Sequence, residues 1–167
     1  MATDIWWAQE GIIQVALDNR SSGHFGKKGM NFIHRQLGKY EIEDYMTAAK
    51  WLGTQPWVDA SKMGITGGSF GGYLTCMALT YGADVFTHGI ANASVTDWAL
   101  YDTHYTERYL GHPASNKAGY EQSSVFPYVK DYQGNLLIYH GMADDNVLFT
   151  HSTKLYSELQ KQGKLFD

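Results

Sequence analysis

Residues 62–74 read KMGITGGSFGGYL and place a serine, Ser69, between two pairs of glycines. A short β-rich run comes before the glycines, and a run that would be apolar on most faces of a helix follows at residues 71–81. A serine on such a tight turn needs neighbours without Cβ atoms, because the strand and the helix crowd each other there. The pattern G-x-S-x-G between a strand and a helix is typical of a nucleophile elbow. We therefore predict that Ser69 is a catalytic nucleophile.

The other common use of a glycine-rich turn at the start of a helix is phosphate binding. The chain lacks the lysine that follows the glycines of a Walker motif, and it lacks the spacing G-x-G-x-x-G. A nucleophile elbow is therefore the better interpretation. In such an elbow the helix points its first backbone N–H groups at the site, so the N–H of Phe70 is predicted to donate to an oxyanion.

Strands and helices alternate along the chain. The β-rich runs are at residues 11–17, 62–66, 88–92 and 135–139, and the helical spacing of apolar residues is at 41–52, 71–81 and 149–162. This alternation predicts an α/β fold in which helices cover both faces of a mainly parallel sheet. The length of 167 residues fits one globular domain.

The acid partner of Ser69 is expected in the loop after the predicted strand at residues 135–139. Asp144 and Asp145 are neighbours in that loop. The carboxyl ends of parallel strands form the edge of the sheet at which such sites assemble. Paired carboxylates in a loop are more often solvated than catalytic, but the upstream Ser69 favours a catalytic role for one of them. Asp144 is well placed, and Asp145 is the competing candidate.

No histidine is in an obvious position to be the catalytic base. The expected chain order is serine, acid, histidine, and only His151 follows Asp144. His151 falls in a predicted helix, where we interpret it as a surface residue, and His140 is predicted to order the acid loop. We therefore expect the base to lie beyond Asp167 in a longer polypeptide, and the 167-residue chain to be inactive alone.

Composition narrows the classes of partner and cofactor. Thirteen basic and seventeen acidic side chains are scattered and give a net charge of −4, which argues against nucleic acid and anionic membranes as partners. The apolar runs are far shorter than the ~20 residues that span a bilayer. The single cysteine, Cys76, excludes an intrachain disulfide and is predicted to be buried. No cluster has metal-ligand spacing, so neither a metal nor an organic cofactor is predicted.

The first residues lack the basic start and the apolar centre of a secretory signal. We expect a soluble chain whose parent could be periplasmic, secreted or cytoplasmic, so the localisation stays open.

Three separated motifs resemble the prolyl oligopeptidase family, and most of all its dipeptidyl peptidase IV branch. They are GGSFGGY at 67–73, VTDWALYDTHYTERYLG at 95–111 and HGMADDNV at 140–147. The resemblance implies an α/β-hydrolase fold that is incomplete here at both ends. It makes residues 1–167 the central part of the catalytic domain, and the family's β-propeller domain and catalytic-histidine segment are expected to be absent.

The resemblance also implies roles for individual residues. Ser69 matches the nucleophile, and Asp144 rather than Asp145 matches the acid. Asn146 matches the asparagine that holds the substrate carbonyl. The pocket for a proline ring, or for alanine, matches Val95, Trp98, Tyr101, Tyr105 and Val147. Read without the family, the spacing of the aromatic residues among these predicts only a helix face in the core.

These features predict a serine peptidase that cleaves peptides after proline, of the dipeptidyl peptidase kind, through an acyl-enzyme on Ser69. No residue matches the family's oxyanion tyrosine, and the sequence does not separate dipeptidyl from tripeptidyl, oligo- or acylaminoacyl peptidases. One alternative is a non-catalytic fragment that forms a homo-oligomer through exposed sheet edges. The other is a carboxylesterase, which the aromatic pocket disfavours.

Overall fold

The computed structural model describes residues 2–167, and a three-stranded parallel sheet lies at its centre. The strands are β1 (Gly64–Gly68), β2 (His88–Asn92) and β3 (Asn135–Tyr139), in that spatial order. The register pairs Gly68 with Asn92 and Asn92 with Tyr139. The three strands therefore end level with one another, and the segments that follow them leave the sheet at one edge.

Seven helices surround or extend from this sheet within the described residues. They are α1 (Ala2–Gln9), α2 (Gly26–Met30), α3 (Lys39–Leu52), α4 (Phe70–Thr80), α5 (Thr103–Leu110), α6 (Lys117–Gln122) and α7 (Thr150–Lys161). Short 3₁₀ helices lie at Gly23–Phe25, Asn31–Ile33, Trp98–Leu100, Pro113–Ser115 and Phe126–Asp131. None of the helices between residues 2 and 167 combines the length and the apolar character that crossing a bilayer requires.

Helix α4 forms the centre of the hydrophobic core. Every residue from 72 to 80 is buried, as the apolar run in the sequence predicts. A Cβ atom on Gly89 of β2 would touch Thr75, Leu79 and Leu136, so α4 lies directly on the face of the sheet that Leu136 shares. Cys76 is 1% exposed, which confirms the prediction of a buried thiol, and burial raises its pKa to about 12.

The two faces of the sheet differ in exposure. Along β3, Leu136 and Ile138 are buried, whereas Leu137 and Tyr139 are 44% and 52% exposed. Leu137 shares a register row with Ile90 and Thr66. The predicted parallel α/β fold is confirmed. Within residues 2–167, helix α4 covers the face of the sheet that carries Leu136, and the face that carries Leu137 is open to solvent.

The two edges of the sheet also differ. Along β3, Asp167 N–H donates to Leu136 O at 3.0 Å and Ile138 N–H donates to Asp167 O at 2.7 Å. On the other side, β1 has no further strand beside it among residues 2–167. The β1 edge therefore presents backbone groups that a neighbouring strand could pair with.

The strand predicted at residues 11–17 is wrong. These residues form no strand, and Ile12, Ile13 and Val15 are about half exposed. Helix α1 precedes them, where no helix was predicted. Their β-rich composition suits a pleated surface, but a strand forms only when a neighbour satisfies its backbone groups. No strand lies beside them among the residues that the structure describes.

Candidate active site

Ser69 lies at the corner between β1 and α4 with a strained backbone. Its φ of 55° and ψ of −115° lie in a region that residues with a Cβ atom seldom adopt. Its N–H donates to Asn92 O at 2.9 Å, and its carbonyl oxygen accepts from Tyr73 N–H at 3.0 Å. These two bonds hold the turn, and the Ser69 side chain is exposed. Such a strained strand-to-helix corner is the geometry of a nucleophile elbow.

Two of the four glycines around Ser69 are required by close packing. A Cβ atom on Gly67 would lie 2.6 Å from the backbone carbonyl carbon of Gly71. One on Gly72 would lie 2.6 Å from Asn92 O and would also overlap the Ser94 hydroxyl. By contrast, a Cβ atom on Gly71 would meet open space. The tight turn at Ser69 therefore requires glycine at positions 67 and 72.

Phe70 is the first residue of α4. A backbone N–H in the first turn of a helix has no acceptor within the helix, and the helix dipole favours negative charge at this end. The Phe70 N–H is therefore available as the predicted oxyanion donor. Its ring, to which the sequence analysis gave no role, lies 5.7 Å from the Trp98 ring.

Asp144 is held in a fixed position by its own loop. Its Oδ1 accepts from Asn146 N–H at 3.0 Å and from Val147 N–H at 2.9 Å. The bond from Asn146 N–H has the largest effect, and with the bond from Val147 N–H it holds the pKa of the Asp144 carboxyl below its usual range. Partial desolvation of the carboxyl opposes this shift. Asp145 is exposed to solvent. Asp144 is therefore an oriented, charged carboxylate, as an acid that aligns a histidine must be.

The side chain of His140 is buried and ties the acid loop to α7. Its Nε2 lies 2.7 Å from Val147 O and 3.4 Å from Asp144 Oδ2, and its Nδ1 lies 2.7 Å from Ser152 Oγ. Nε2 donates to Val147 O, and Nδ1 and the Ser152 hydroxyl share the second hydrogen bond. The predicted ordering role of His140 is confirmed by these contacts, and neither nitrogen is free to act as a base.

His151 is not a surface residue, and that prediction is wrong. The residue is 0% exposed, and its Nδ1 accepts from Thr96 N–H at 3.1 Å. Burial lowers its pKa to about 4, so the imidazole is neutral at neutral pH. His151, Leu155 and Leu159 recur at every fourth residue, and all three are buried. This spacing was a signal in the sequence that could have placed His151 in the core.

The predicted aromatic residues form one cluster next to the elbow. The Trp98 ring stacks on the Tyr105 ring at 5.8 Å and meets the Tyr101 ring edge-on at 5.9 Å. Trp98 is 1% exposed, whereas Tyr101 and Tyr105 are partly exposed. Burial, followed by the neighbouring Tyr109 and Tyr101, raises the pKa of Tyr105 to about 12. The cluster thus presents two partly exposed tyrosine rings next to a buried tryptophan.

The aromatic cluster and the acid loop are joined by a hydrogen bond. The Tyr101 hydroxyl donates to Asn146 Oδ1 at 3.0 Å. Val95 and Val147, the two predicted aliphatic residues of the pocket, are each 1% exposed and belong to the same hydrophobic core. The Tyr101–Asn146 bond therefore links the second motif to the third, and the assignment of these residues to one pocket stays a prediction.

Ser69 and the acid loop lie at the same end of the sheet, where the carboxyl ends of the three strands meet. Ser69 follows β1 and the loop of Asp144 follows β3, with β2 between them. Two strand spacings separate the strand ends by about 10 Å, a gap that an imidazole ring with a hydrogen bond on each side can span. The Ser69 side chain makes no capping hydrogen bond to α4. The arrangement can thus orient a histidine between the two residues.

Comparison with known proteins identifies the family. Residues 2–167 match the sequence model of the prolyl oligopeptidase family. The chain belongs to the prolyl oligopeptidase family. The resemblance of the three motifs is therefore confirmed, and the chain is by family part of a serine peptidase.

Relatives within the prolyl oligopeptidase family place the chain in the dipeptidyl peptidase branch. The chain is 41% identical to dipeptidyl peptidase 8 of Mus musculus over 164 residues, which are 96% of the chain and 18% of that protein. It is 41% identical to dipeptidyl peptidase 4 of Bos taurus over 157 residues, 92% of the chain and 20% of that protein.

A solved member of the family has the same fold. The crystal structure of Porphyromonas gingivalis dipeptidyl peptidase 4 superposes with a TM-score of 0.87 at 41% identity, covering 90% of this chain and 21% of that one. The α/β-hydrolase fold class is thereby confirmed. The chain spans about a fifth of the length of the curated relatives it matches.

Proposed function

We propose that the chain is the central part of the catalytic domain of a dipeptidyl-peptidase-like serine peptidase that cleaves after proline. One observation carries the proposal. The strained Ser69 lies beside an aromatic cluster, and the Tyr101 hydroxyl joins that cluster to the loop of Asp144 and Asn146. The proposed nucleophile and the proposed acid therefore follow strands that end at the same end of the sheet, and the aromatic cluster lies next to both segments. The dipeptidyl peptidase relatives support the same activity.

The proposed chemistry is acyl transfer in two steps. A histidine aligned by Asp144 removes the proton from Ser69 Oγ, which attacks the carbonyl carbon of the scissile peptide bond. The oxyanion that forms accepts from the Phe70 N–H. The histidine then returns the proton to the leaving amine. Water, activated by the same histidine, releases the acyl group and regenerates Ser69.

We propose that the base is supplied from outside these 167 residues, because the three histidines on the sheet, the acid loop and α7 are not placed to serve. His151 is buried against Thr96, and both nitrogens of His140 have partners. His88 is the first residue of β2, so it lies at the amino end of the strand, opposite the end where Ser69 and the acid loop lie. The 167-residue chain alone should therefore turn over substrate very slowly, since loss of the base costs about 10⁶ in turnover.

The substrate preference follows from the chemistry of the pocket. The rings of Trp98, Tyr101 and Tyr105 offer a flat apolar wall that suits the rigid ring of proline and also admits alanine. Asn146 Oδ1 is engaged by the Tyr101 hydroxyl, which leaves its Nδ2 free to donate to the carbonyl oxygen of the preceding substrate residue. The aromatic pocket would bind the proline ring, and the Asn146 side-chain amide would bind the residue before it, so together they would hold a dipeptide that ends in proline.

The test is a chimaera in which this chain replaces the matching segment of Porphyromonas gingivalis dipeptidyl peptidase 4. We expect release of Gly-Pro from Gly-Pro-p-nitroanilide, abolished by Ser69→Ala and reduced by about 10⁴ by Asp144→Asn. Asp145→Asn is the matched control and should retain activity. A folded chimaera that cleaves only simple esters, without preference for proline, would favour a carboxylesterase instead.

Labelling of the unmodified 167-residue chain tests the origin of the base. We expect no fast reaction of Ser69 with a fluorophosphonate, judged by intact mass against Ser69→Ala. Fast labelling that Ser69→Ala removes would mean that the base lies within this chain and that the proposed external histidine is wrong.

A further inference from the structure

His151 connects the two segments that carry opposite halves of the proposed pocket. Its Nδ1 accepts from Thr96 N–H at 3.1 Å, and its carbonyl oxygen accepts from the Thr96 hydroxyl at 3.0 Å. Thr96 directly follows Val95 on the segment that leads to the aromatic cluster. His151 stands at the start of α7, which directly follows the acid loop at 140–149. One residue pair therefore joins the wall of the pocket to the acid loop.

This connection lies in the core, where a lost hydrogen bond cannot be replaced by water. Thr96 and His151 are both 0% exposed. Within residues 2–167, His151 Nδ1 is the acceptor that the Thr96 N–H meets. Without it, a buried N–H would remain unpaired, and the segment would shift to find another partner. Val125 N–H also donates to Thr96 O at 2.9 Å, so Nδ1 of His151 is one of several groups that hold the segment next to Val95.

The hydrogen bond requires a particular form of the imidazole. Because Nδ1 accepts from Thr96, the ring must be neutral and carry its proton on Nε2. The Nε2 atom is buried and makes no hydrogen bond of good geometry among the described residues, although the Leu100 backbone is close enough to favour the protonated ring. The ring centre lies 6.5 Å from that of Tyr101. His151 therefore lies next to Tyr101 of the proposed pocket wall and is itself buried.

A second connection joins the same two segments on the solvent side. It is the hydrogen bond from the Tyr101 hydroxyl to Asn146 Oδ1. The pocket wall and the acid loop are thus held at two points, one in the core and one at the surface. The core connection itself has two bonds, and only the one to Nδ1 depends on the imidazole, since the Thr96 hydroxyl donates to the backbone oxygen of His151. We attribute to the Nδ1 bond the part of the wall's tilt that the other bonds leave free.

We propose that His151 is a positioning residue that sets the spacing between the Val95 wall and the Asn146 loop, and thereby the preference for proline at the cleavage position. This inference rests on the proposed function. A rigid pyrrolidine ring needs both sides of the pocket at a fixed distance, whereas the smaller alanine side chain needs less of the wall. Loss of the connection should therefore weaken proline binding more than alanine binding.

The kinetic test uses the chimaera with three variants. His151→Leu removes the acceptor at similar volume, and His151→Asn keeps an oxygen near the position of Nδ1. Leu155→Ala, one turn further along α7, is the matched control for simple destabilisation. In His151→Leu we expect KM for Gly-Pro-p-nitroanilide to rise about tenfold, KM for the Gly-Ala substrate to rise less, and kcat to change by about twofold at most.

The two controls separate positioning from folding. His151→Asn should return KM for the proline substrate to within about threefold of the parent, and Leu155→Ala should lower the melting temperature without changing KM. Equal kinetic effects of His151→Leu and Leu155→Ala, or no recovery in His151→Asn, would overturn the inference.

An activity-independent test uses the 167-residue chain. The methyl resonances of Val95 and Val147 should move in His151→Leu and return in His151→Asn, and the ¹⁵N shifts of His151 should report the Nε2–H tautomer at pH 7. Unmoved methyl resonances would overturn the positioning role. An inactive but folded parent chimaera would instead refute the proposed function, and the methyl resonances would still decide the role of His151.

Discussion

Ser69 carries a backbone conformation that glycine adopts without strain. Its φ of 55° is held by the bonds to Asn92 and Tyr73. Because both substitutions remove the hydroxyl, Ser69→Gly and Ser69→Ala form a matched pair. We expect Ser69→Gly to be more stable than Ser69→Ala by about 1 kcal/mol, measured by urea unfolding. Equal stability would mean that the elbow stores no backbone strain.

His151 should make stability depend on pH in a defined direction. Burial lowers its pKa from 6.5 to about 4; Asp97 opposes this shift, and His140 and Lys154 add to it. The unfolded chain therefore binds a proton at a higher pH than the native chain does. The contribution is full above pH 6.5 and is lost as the pH falls toward 4.

The size of this effect can be measured against a variant. We expect the free energy of unfolding to fall by about 2 kcal/mol more between pH 7.5 and 5 in the parent than in His151→Asn. Urea unfolding at the two pH values tests this. Parallel curves for the two proteins would show that His151 is already accessible to protons in the native state.

Local patterns in the sequence predict candidate residues of the site but not the contacts between them. Ser69 is a candidate nucleophile because glycines and a change from strand to helix mark an elbow locally, and the structure has a strained corner there. The bond from Tyr101 to Asn146 spans 45 positions, and no local pattern reports it. The polarity of His151 suggests the surface of α7, but its four-residue spacing with Leu155 places it on the buried face.

At the scale of elements, the contact between β1, α4 and β2 depends on two glycines. A methyl group at Gly72 would overlap Asn92 O and the Ser94 hydroxyl, and one at Gly67 would overlap Gly71. We expect Gly67→Ala and Gly72→Ala each to destabilise the fold by about 1–3 kcal/mol, the usual range for overpacking. Thermal unfolding followed by circular dichroism tests this.

The third glycine of this turn provides the control. A Cβ atom on Gly71 meets nothing within 4 Å, and the residue lies in the first turn of α4. Gly71→Ala should be neutral or should stabilise by up to about 1 kcal/mol, because alanine favours the helix. A large loss of stability in this variant would contradict the packing described for the elbow.

The elements differ in how far local sequence determines them. β2 and β3 have the predicted bounds, and α3, α4 and α7 agree with prediction within two residues. The three helices have apolar residues at helical spacing, and the two strands are short apolar runs between turns, so local sequence is enough to predict them. The composition of residues 11–17 favours a strand, but no neighbouring strand pairs with them among the described residues. Composition alone therefore predicts a strand that is not formed.

At the scale of the whole molecule, the open face of the sheet should drive association. Leu137 and Tyr139 are exposed on that face, and the β1 edge has no strand beside it among residues 2–167. We expect the sedimentation coefficient to rise with protein concentration, because pairing two such faces removes apolar area from water.

A pair of lysine variants locates the associating surface. Leu137→Lys should suppress the concentration dependence, whereas Met142→Lys, on the exposed acid loop, should not. A chain that sediments as a monomer at high concentration would exclude this association, and equal effects of the two lysines would place it elsewhere.

The burial of Cys76 makes the chain convenient for thiol chemistry. A thiol whose pKa is about 12 carries almost no thiolate at neutral pH and is shielded from reagents. Met142, on the acid loop, is 83% exposed. Met142→Cys would therefore give a chain with one fast-reacting thiol, and a maleimide dye attached there would report movement of the acid loop without removal of the native cysteine.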